Sequence, residues 1–413
     1  MDVAHNLVSR PLYDELLDSY LGTETIKVLS GVRRCGKSSL LLMLASRLVA
    51  QGVPANNILY KKLDSYDVPL EPDAPWLEAT IKDALDKRDE SCPFYVFLDE
   101  VQEVKGWEKV VRRLHTERVA DIYLTGSNAF LLSSDLATYL SGRYVEVRIW
   151  PLSFAEYLDF SRATNTADAS EDELFARYVR YGGMPGLFDK GDFSPEFVMR
   201  ELTAVHDTVI LNDVAKRFEL RDIDLLEKLV RYVYTNSGRL FSSRKIAGAL
   251  TSAGRKTSAT TVDAYLNALR KAFLLEACSQ VGLGSKAVLQ PQQKFYAPDS
   301  GLRNRETGFV TRDVGFQLEN IVFCELRRRG FDVHVGNGRS GEVDFVATRL
   351  DERVYIQVSN SIVDESTLAR ELSSFEGMSD SFPKIVLTRD ALMWGTTEKG
   401  VAVKSLVGWL LEP

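Results

Sequence analysis

Residues 31–39 read GVRRCGKSS, and this run constrains the chain more than any other. It fits the pattern G-x-x-x-x-G-K-[ST]: Gly31, Gly36, Lys37 and Ser38 occupy the fixed positions, Val32, Arg33, Arg34 and Cys35 lie between the glycines, and Ser39 follows. The preceding IKVLS at 26–30 is apolar and β-branched, and the following SLLLMLASRL at 39–48 is rich in helix formers. Strand, glycine turn and helix is the order such a loop requires. Glycines let successive amides turn toward one anion, and the helix N-terminus adds partial positive charge. The implied ligand is a nucleoside triphosphate, ATP, held with Mg2+. Lys37 would reach its β- and γ-phosphates, and the Ser38 hydroxyl would complete the magnesium shell.

A second run strengthens the first. FYVFLDE at 94–100 is continuously apolar and ends in two acids, the pattern of a strand buried on both faces of a parallel sheet. Asp99 at its tip is placed to hold magnesium through water, and Glu100 to orient or deprotonate the water attacking the γ-phosphate. The run alone would equally suit an acidic loop after any buried strand; the glycine loop upstream gives it a role. NILYKKL at 57–63 reads as another strand, with helices predicted near 76–87 and 107–115. DIYLTGSN at 121–128 is a further strand ending in small polar residues, and YVEVRIW at 144–150 the next.

The 413 residues, 45% apolar and 26% charged, have the composition of an ordinary globular chain, long enough for two to four domains. No apolar run reaches the roughly 18 residues of a membrane span, and the first residues, MDVAHNLVSRPLYDELL, hold acids and lack an apolar signal core. Cys35, Cys92, Cys278 and Cys324 are scattered without a C-x-x-C pair, and His5, His115, His206 and His334 lack metal-ligand spacing. A reduced, cytoplasmic protein without structural zinc or membrane partner is expected. Net charge is −7, which argues against a generic nucleic-acid binder, yet residues 216–305 hold 16 Lys and Arg against 7 Asp and Glu. That surplus of +9 inside a remainder of −16 marks one basic segment in an acidic chain.

GVRRCGKSS, FYVFLDE, LTGSNAFLLS (124–133), SGRY (141–144), PLSFAEYL (151–158) and GGMPG (182–186), in this order, resemble a family of bacterial and archaeal AAA-type ATPases with a C-terminal domain of unknown function. The family is similar to the archaeal ATPases of the wider P-loop class, and the resemblance spans the chain. It implies ATP binding and an α/β core with a parallel sheet of the additional-strand type. In such ATPases a polar side chain after the fourth strand senses the γ-phosphate, which makes Ser127 or Asn128 the candidate, although turn formation explains the same residues. An arginine just before the fifth strand serves AAA-type ATPases as a finger in a neighbouring subunit. Arg143 stands there, as a finger in a homo-oligomer or as a local partner for an acid.

The core is assigned to residues 1–155 and a helical lid to 156–218, with SRATNTADASED at 161–172 read as a mobile loop or insertion. Residues 219–305 read as three helices followed by two strands, a winged helix-turn-helix. In its third helix Val262, Tyr265, Leu266 and Leu269 form the core face, leaving Thr261, Ala264, Asn267, Ala268 and Lys271 for a groove. This domain would bind double-stranded DNA or dock a protein partner. Residues 306–413, with Glu319 on a helix, Asp344 on a strand and Gln357 and Ser359 on the next, resemble the PD-(D/E)xK nuclease core. The resemblance implies magnesium held by Glu319, Asp344 and Gln357 in a restriction-endonuclease-like α/β domain. Ser359 stands where that family keeps its lysine and supplies no positive charge, so a degenerate domain kept for docking or assembly is expected rather than cleavage.

Overall fold

A computed structural model describes residues 7–126, 140–164, 169–189, 193–282, 292–308, 313–338, 341–376, 378, 380–390 and 394–412. Two compact units divide at Ile149 and Trp150.

In the first unit, α1 (Pro11–Ser19) precedes β1 (Ile26–Ser30), α2 (Lys37–Ala50), β2 (Ile58–Lys62), α3 (Ala74–Asp86), β3 (Tyr95–Asp99), α4 (Trp107–Glu117), β4 (Asp121–Thr125) and β5 (Tyr144–Arg148). The five strands form one parallel sheet in the order β2-β3-β4-β1-β5. β1, β3 and β4 are buried at every position; β3 accordingly reads as an apolar run up to Asp99, whereas β1 and β4 bury Lys27 and Asp121 as an ion pair. Ile26, Val28, Val96, Leu98, Ile122 and Leu124 of these strands pack with Trp107, Val111, Leu77 and Ile81 of α3 and α4. The strand order reverses beside β1, where the chain runs out to β2 on one side and returns as β5 on the other. At such a switch point the carboxyl ends of the strands open a crevice for a ligand, and the 31–36 loop leaves β1 there.

The second unit begins with α5 (Phe154–Ala163), α6 (Glu171–Tyr181) and α7 (Pro195–Thr208), continued by a π-helical stretch, Val209–Lys216. The polar 161–172 segment is helical at both described ends, because Ser170 caps α6 in a reciprocal pair with Glu173. α8 (Ile223–Thr235), α9 (Ser243–Ser252) and α10 (Ala259–Lys271) follow, with Ser242 and Ser258 capping the latter two. Then come β6 (Glu276–Gly282), β7 (Gln293–Tyr296), α11 (Ser300–Thr307), α12 (Val314–Arg328), β8 (Asp332–Gly338), β9 (Gly341–Arg349), β10 (Glu352–Ser359), α13 (Glu365–Ser373), β11 (Lys384–Thr388), β12 (Gly395–Thr396), β13 (Ala402–Ser405) and α14 (Leu406–Leu411).

β6 and β7 pair antiparallel, as a wing would, but they do not stand apart. β6 also pairs in parallel with β8, Gln280 opposite Val335, so both strands belong to an eight-stranded sheet ordered β12-β13-β11-β10-β9-β8-β6-β7. The groove face expected of α10 is also revised. Ala268 is buried and Lys271 half-buried, whereas Asp263, Ala264, Asn267 and Arg270 are exposed.

The GGMPG segment is held by Asp299, buried just before α11. Its carboxylate accepts the backbone N–H of Gly183 at 2.7 Å and of Leu302 at 3.0 Å. Burial pushes this carboxyl up to about 6 against the pull of those amides. Gly182 has φ +77°, and a Cβ there would lie 2.1 Å from an Asp299 oxygen, so the position admits only glycine. Asp299→Ala, which leaves these buried amides without an acceptor, is expected to lower stability by about 2–4 kcal/mol in urea titrations; an unchanged midpoint would show that the carboxylate does not pin the segment.

Candidate functional site

The loop between β1 and α2 has the backbone of an anion cradle. Gly31, Arg34 and Gly36 have positive φ of 148°, 64° and 103°, turns that bring successive amides toward a common point. Gly31 is obligatory, since a Cβ would meet Ile149 O at 2.2 Å and Cys35 Sγ at 2.8 Å. The N-cap of α2 is Gly36, which has no side chain to cap the helix, so the first amides of α2 are available to an anion. Cys35 is fully buried, and the buried Arg10 donates from Nη1 to its carbonyl at 3.0 Å while stacking on Tyr13. Arg34 is exposed and Arg33, Ser38 and Ser39 are half-buried, while Val32 lies inside.

Lys37 is 7% exposed, and its ammonium donates to the carbonyls of Gly31 at 2.9 Å and Val32 at 3.3 Å. No carboxylate among the described residues pairs with it. A buried cation satisfied only by carbonyl dipoles has charge left for an anion.

Asp99 is the complement. It ends β3 fully buried, and Oδ1 accepts the hydroxyls of Ser38 at 2.9 Å and of Thr125, while the Tyr60 hydroxyl reaches Oδ2 at 3.3 Å. Burial and then the Asp99 charge hold the Tyr60 phenol above its ordinary range. Among the described residues no cation pairs with Asp99. A buried carboxylate next to a serine hydroxyl, without a counter-cation among the described residues, fits the oxygen donors magnesium prefers, and Ser38 and Asp99 are the residues that would hold it. Glu100 follows in the left-handed region at φ 58°, a conformation that costs a non-glycine residue about 1 kcal/mol or more. Its amide donates to Thr125 Oγ1 at 3.0 Å, and its Oε2 accepts Gln102 Nε2 at 2.5 Å.

Ser38, Asp99 and Glu100 thus meet at one end of the sheet. Ser127 and Asn128 lie outside the described residues. Thr125, fully buried at the tip of β4 and joined to both Asp99 and Glu100, escaped the sequence reading. The sequence signal for it is a polar residue closing the apolar middle of a strand. Arg143 lies at the other end of the sheet. Its carbonyl accepts the amide of Ile26, the first residue of β1, and on its own chain it stands away from the 31–38 loop.

The second unit holds a separate pocket of about 490 Å³, lined in part by Glu319, Glu342, Asp344, Gln357, Arg370 and Glu371. Glu319, Asp344 and Gln357 all line it, but the Gln357 amide is engaged elsewhere. Its Oε1 accepts the Asp344 amide at 2.6 Å and its Nε2 donates to Glu371 at 2.9 Å. Ser359 Oγ donates to Ser361 O at 2.9 Å. Among the described residues, no group of three acids, histidines or cysteines is arranged to hold a metal ion. Asp344 is pushed above the ordinary carboxylate range, by burial first and then by Glu319, against the opposing pull of Lys294. Lys294, expected in a wing, reaches this acid cluster from β7. Burial lowers its affinity for a proton, but the Glu319, Asp344 and Glu342 carboxylates prevail and keep it firmly charged. Arg303 is also buried and Arg305 is paired with Glu306 and Asp207, so part of the basic surplus of residues 216–305 faces inward. No helix among the described residues is long and apolar enough to cross a membrane.

Residues 23–158 match the family described as AAA domain, and residues 172–313 the family described as Domain of unknown function (DUF8612). An uncharacterized protein of Haemophilus influenzae is 36% identical over 98% of this chain and 99% of its own length. One from Methanocaldococcus jannaschii is 29% identical over 85% of this chain and 78% of its own. Among solved structures, the Walker-type ATPase of Pyrococcus abyssi is similar at 18% identity and a TM-score of 0.48, over 72% of this chain and 95% of that one. With its parallel sheet, glycine loop and a relative matched end to end, the chain belongs to a family of proteins in which an AAA domain is followed by the DUF8612 domain.

Proposed function

We propose that the chain is a magnesium-dependent ATPase that converts ATP to ADP and phosphate and couples that cycle to engagement of a partner by its C-terminal half. The observation that carries this reading is the opposition of two uncompensated buried charges beside one loop. Among the described residues the Lys37 ammonium bonds only to carbonyl oxygens, and the Asp99 carboxylate only to hydroxyls. An anion and a cation are what such a pair lacks, and magnesium triphosphate supplies both.

The amides of 31–36 and of the first turn of α2 hold the phosphates, and Lys37 offsets charge on the β- and γ-groups. Magnesium, when bound, neutralises charge developing on the phosphate oxygens. Water attacks the γ-phosphorus as the bond to the bridging oxygen breaks, and Glu100 takes up the proton that the water loses. Thr125 fixes both acids, because its hydroxyl donates to Asp99 while accepting the Glu100 amide. Gln102 holds the Glu100 carboxylate in place until substrate arrives. Arg143 would act on the phosphates of a neighbouring copy, which makes a homo-oligomer the active form.

Glu100→Gln is expected to retain ATP binding while turnover falls roughly 10²-fold or more; unchanged hydrolysis would exclude Glu100 as the base. Thr125→Val keeps shape but removes the hydroxyl. It is expected to cut turnover at least about tenfold with ATP affinity changed much less, and equal loss of both would demote Thr125 to a purely structural residue.

For the C-terminal half, the reading is a helical module contacting duplex DNA phosphates through Arg244 and Lys245 on α9 and Arg270 on α10, all exposed. Replacing the three with alanine should weaken retention on duplex DNA and flatten its salt dependence by up to about three phosphate contacts. Retention that ignores salt and these replacements would favour the alternative, a nucleotide switch whose helices dock a protein.

A further inference from the structure

The pocket of the second unit contains a charged group that the ATPase reading leaves unused. Lys294 is 1% exposed and stands on β7, an edge strand of the sheet. Its Nζ lies 2.8 Å from Glu319 Oε1 on α12, 2.7 Å from Glu342 Oε1 and 3.6 Å from Asp344 Oδ1, both on β9. Tyr296, two residues on and therefore on the same side of the strand, donates its hydroxyl to the same Glu319 oxygen at 2.6 Å. The three carboxylates line the cavity, whereas Lys294 lies behind them and does not.

We propose that the Lys294 ammonium takes the place of a divalent cation in this cluster, so that the pocket is assembled without metal. Three acids converging from a helix and a strand repel one another and need a cation to stay together. The ammonium brings one positive charge to all three acids, donating a hydrogen bond to Glu319 and pairing ionically with Glu342 and, at longer range, Asp344. A magnesium ion would need oxygens at about 2.0–2.1 Å in an octahedron, and the ammonium holds the acids around itself instead. A divalent ion added beside it would face direct repulsion. Gln357 reinforces the arrangement, because its amide is consumed by the Asp344 backbone and Glu371 rather than turned toward an ion. Lys294 also does not replace the lysine that Ser359 fails to supply. A group acting on a substrate would have to reach the cavity, and the carboxylates stand between. The pocket is therefore an acidic cavity with an internal counter-ion, not a magnesium-dependent phosphodiester cutter. This conclusion is independent of the chemistry at Lys37 and Asp99.

The test is Mn2+ binding to the full chain without nucleotide, followed by the electron paramagnetic resonance of free Mn2+ and by thermal melting. The wild-type chain is expected to show no Mn2+ site that Asp344→Asn removes, and no Mn2+ or chelator effect on its melt that Asp344→Asn removes. Lys294→Ala is expected to melt lower in chelator and to gain a site at least about tenfold tighter than any in wild type. Mn2+ should then restore much of its melting temperature, and Lys294→Ala with Asp344→Asn should lose both gains. The conservative Lys294→Met serves where the alanine variant is recovered only in aggregates. Recovery of either variant only with Mn2+ present supports the proposal. Wild-type Mn2+ binding abolished by Asp344→Asn overturns it, as does a soluble Lys294 variant that gains no Mn2+ site.

Discussion

The first unit depends on one buried carboxylate. Asp99 sits where β3 stops, and the three hydroxyls converging on it come from three other places in the chain: Ser38 at the start of α2, Tyr60 on β2 and Thr125 at the end of β4. Each partner is delivered by a strand or helix whose own position is set by apolar packing. A buried charge without a counter-ion is costly, so this geometry persists only because the surrounding sheet over-determines it. The same holds for Glu100, kept in a left-handed conformation by the chain leaving β3 and by its amide bond to Thr125.

Much of this was legible in the sequence. The glycine loop specifies its own backbone, and Gly31 is explained by the Ile149 carbonyl pressing where a side chain would stand. Strands buried on both faces announce themselves as apolar runs, so β1, β3 and β4 fall where expected. Thr125 is less visible because it is the last member of such a run, and Ser127 and Asn128, two and three positions on, carry the same polar signal. Its role depends on parallel pairing with β1 and β3, which local sequence does not reveal.

The C-terminal half was harder to read for a related reason. Strands β6 and β7 have the spacing of a hairpin, and a hairpin after three helices suggests a wing. What joins them to the larger sheet is a parallel ladder between Gln280 and Val335, a pairing across more than fifty residues with no local signature. That ladder also decides the fate of Lys294. Counted in the sequence it contributes to a basic surface; in the fold it is buried among Glu319, Glu342 and Asp344. Net charge over a segment describes a surface only when its charges remain on it, and α10 shows the same lesson, with Arg270 rather than Lys271 fully at the solvent.

The central claim is that the 31–39 loop with Lys37 and Asp99 grips a magnesium-bound triphosphate. Isothermal titration of Mg·ATP into the purified chain, alongside Lys37→Ala, tests it most directly. One site per chain in the wild type, lost or weakened about a hundredfold or more in the variant, is the result the charge arrangement requires. Heat-silent wild-type protein, or equal affinity in both, would contradict it.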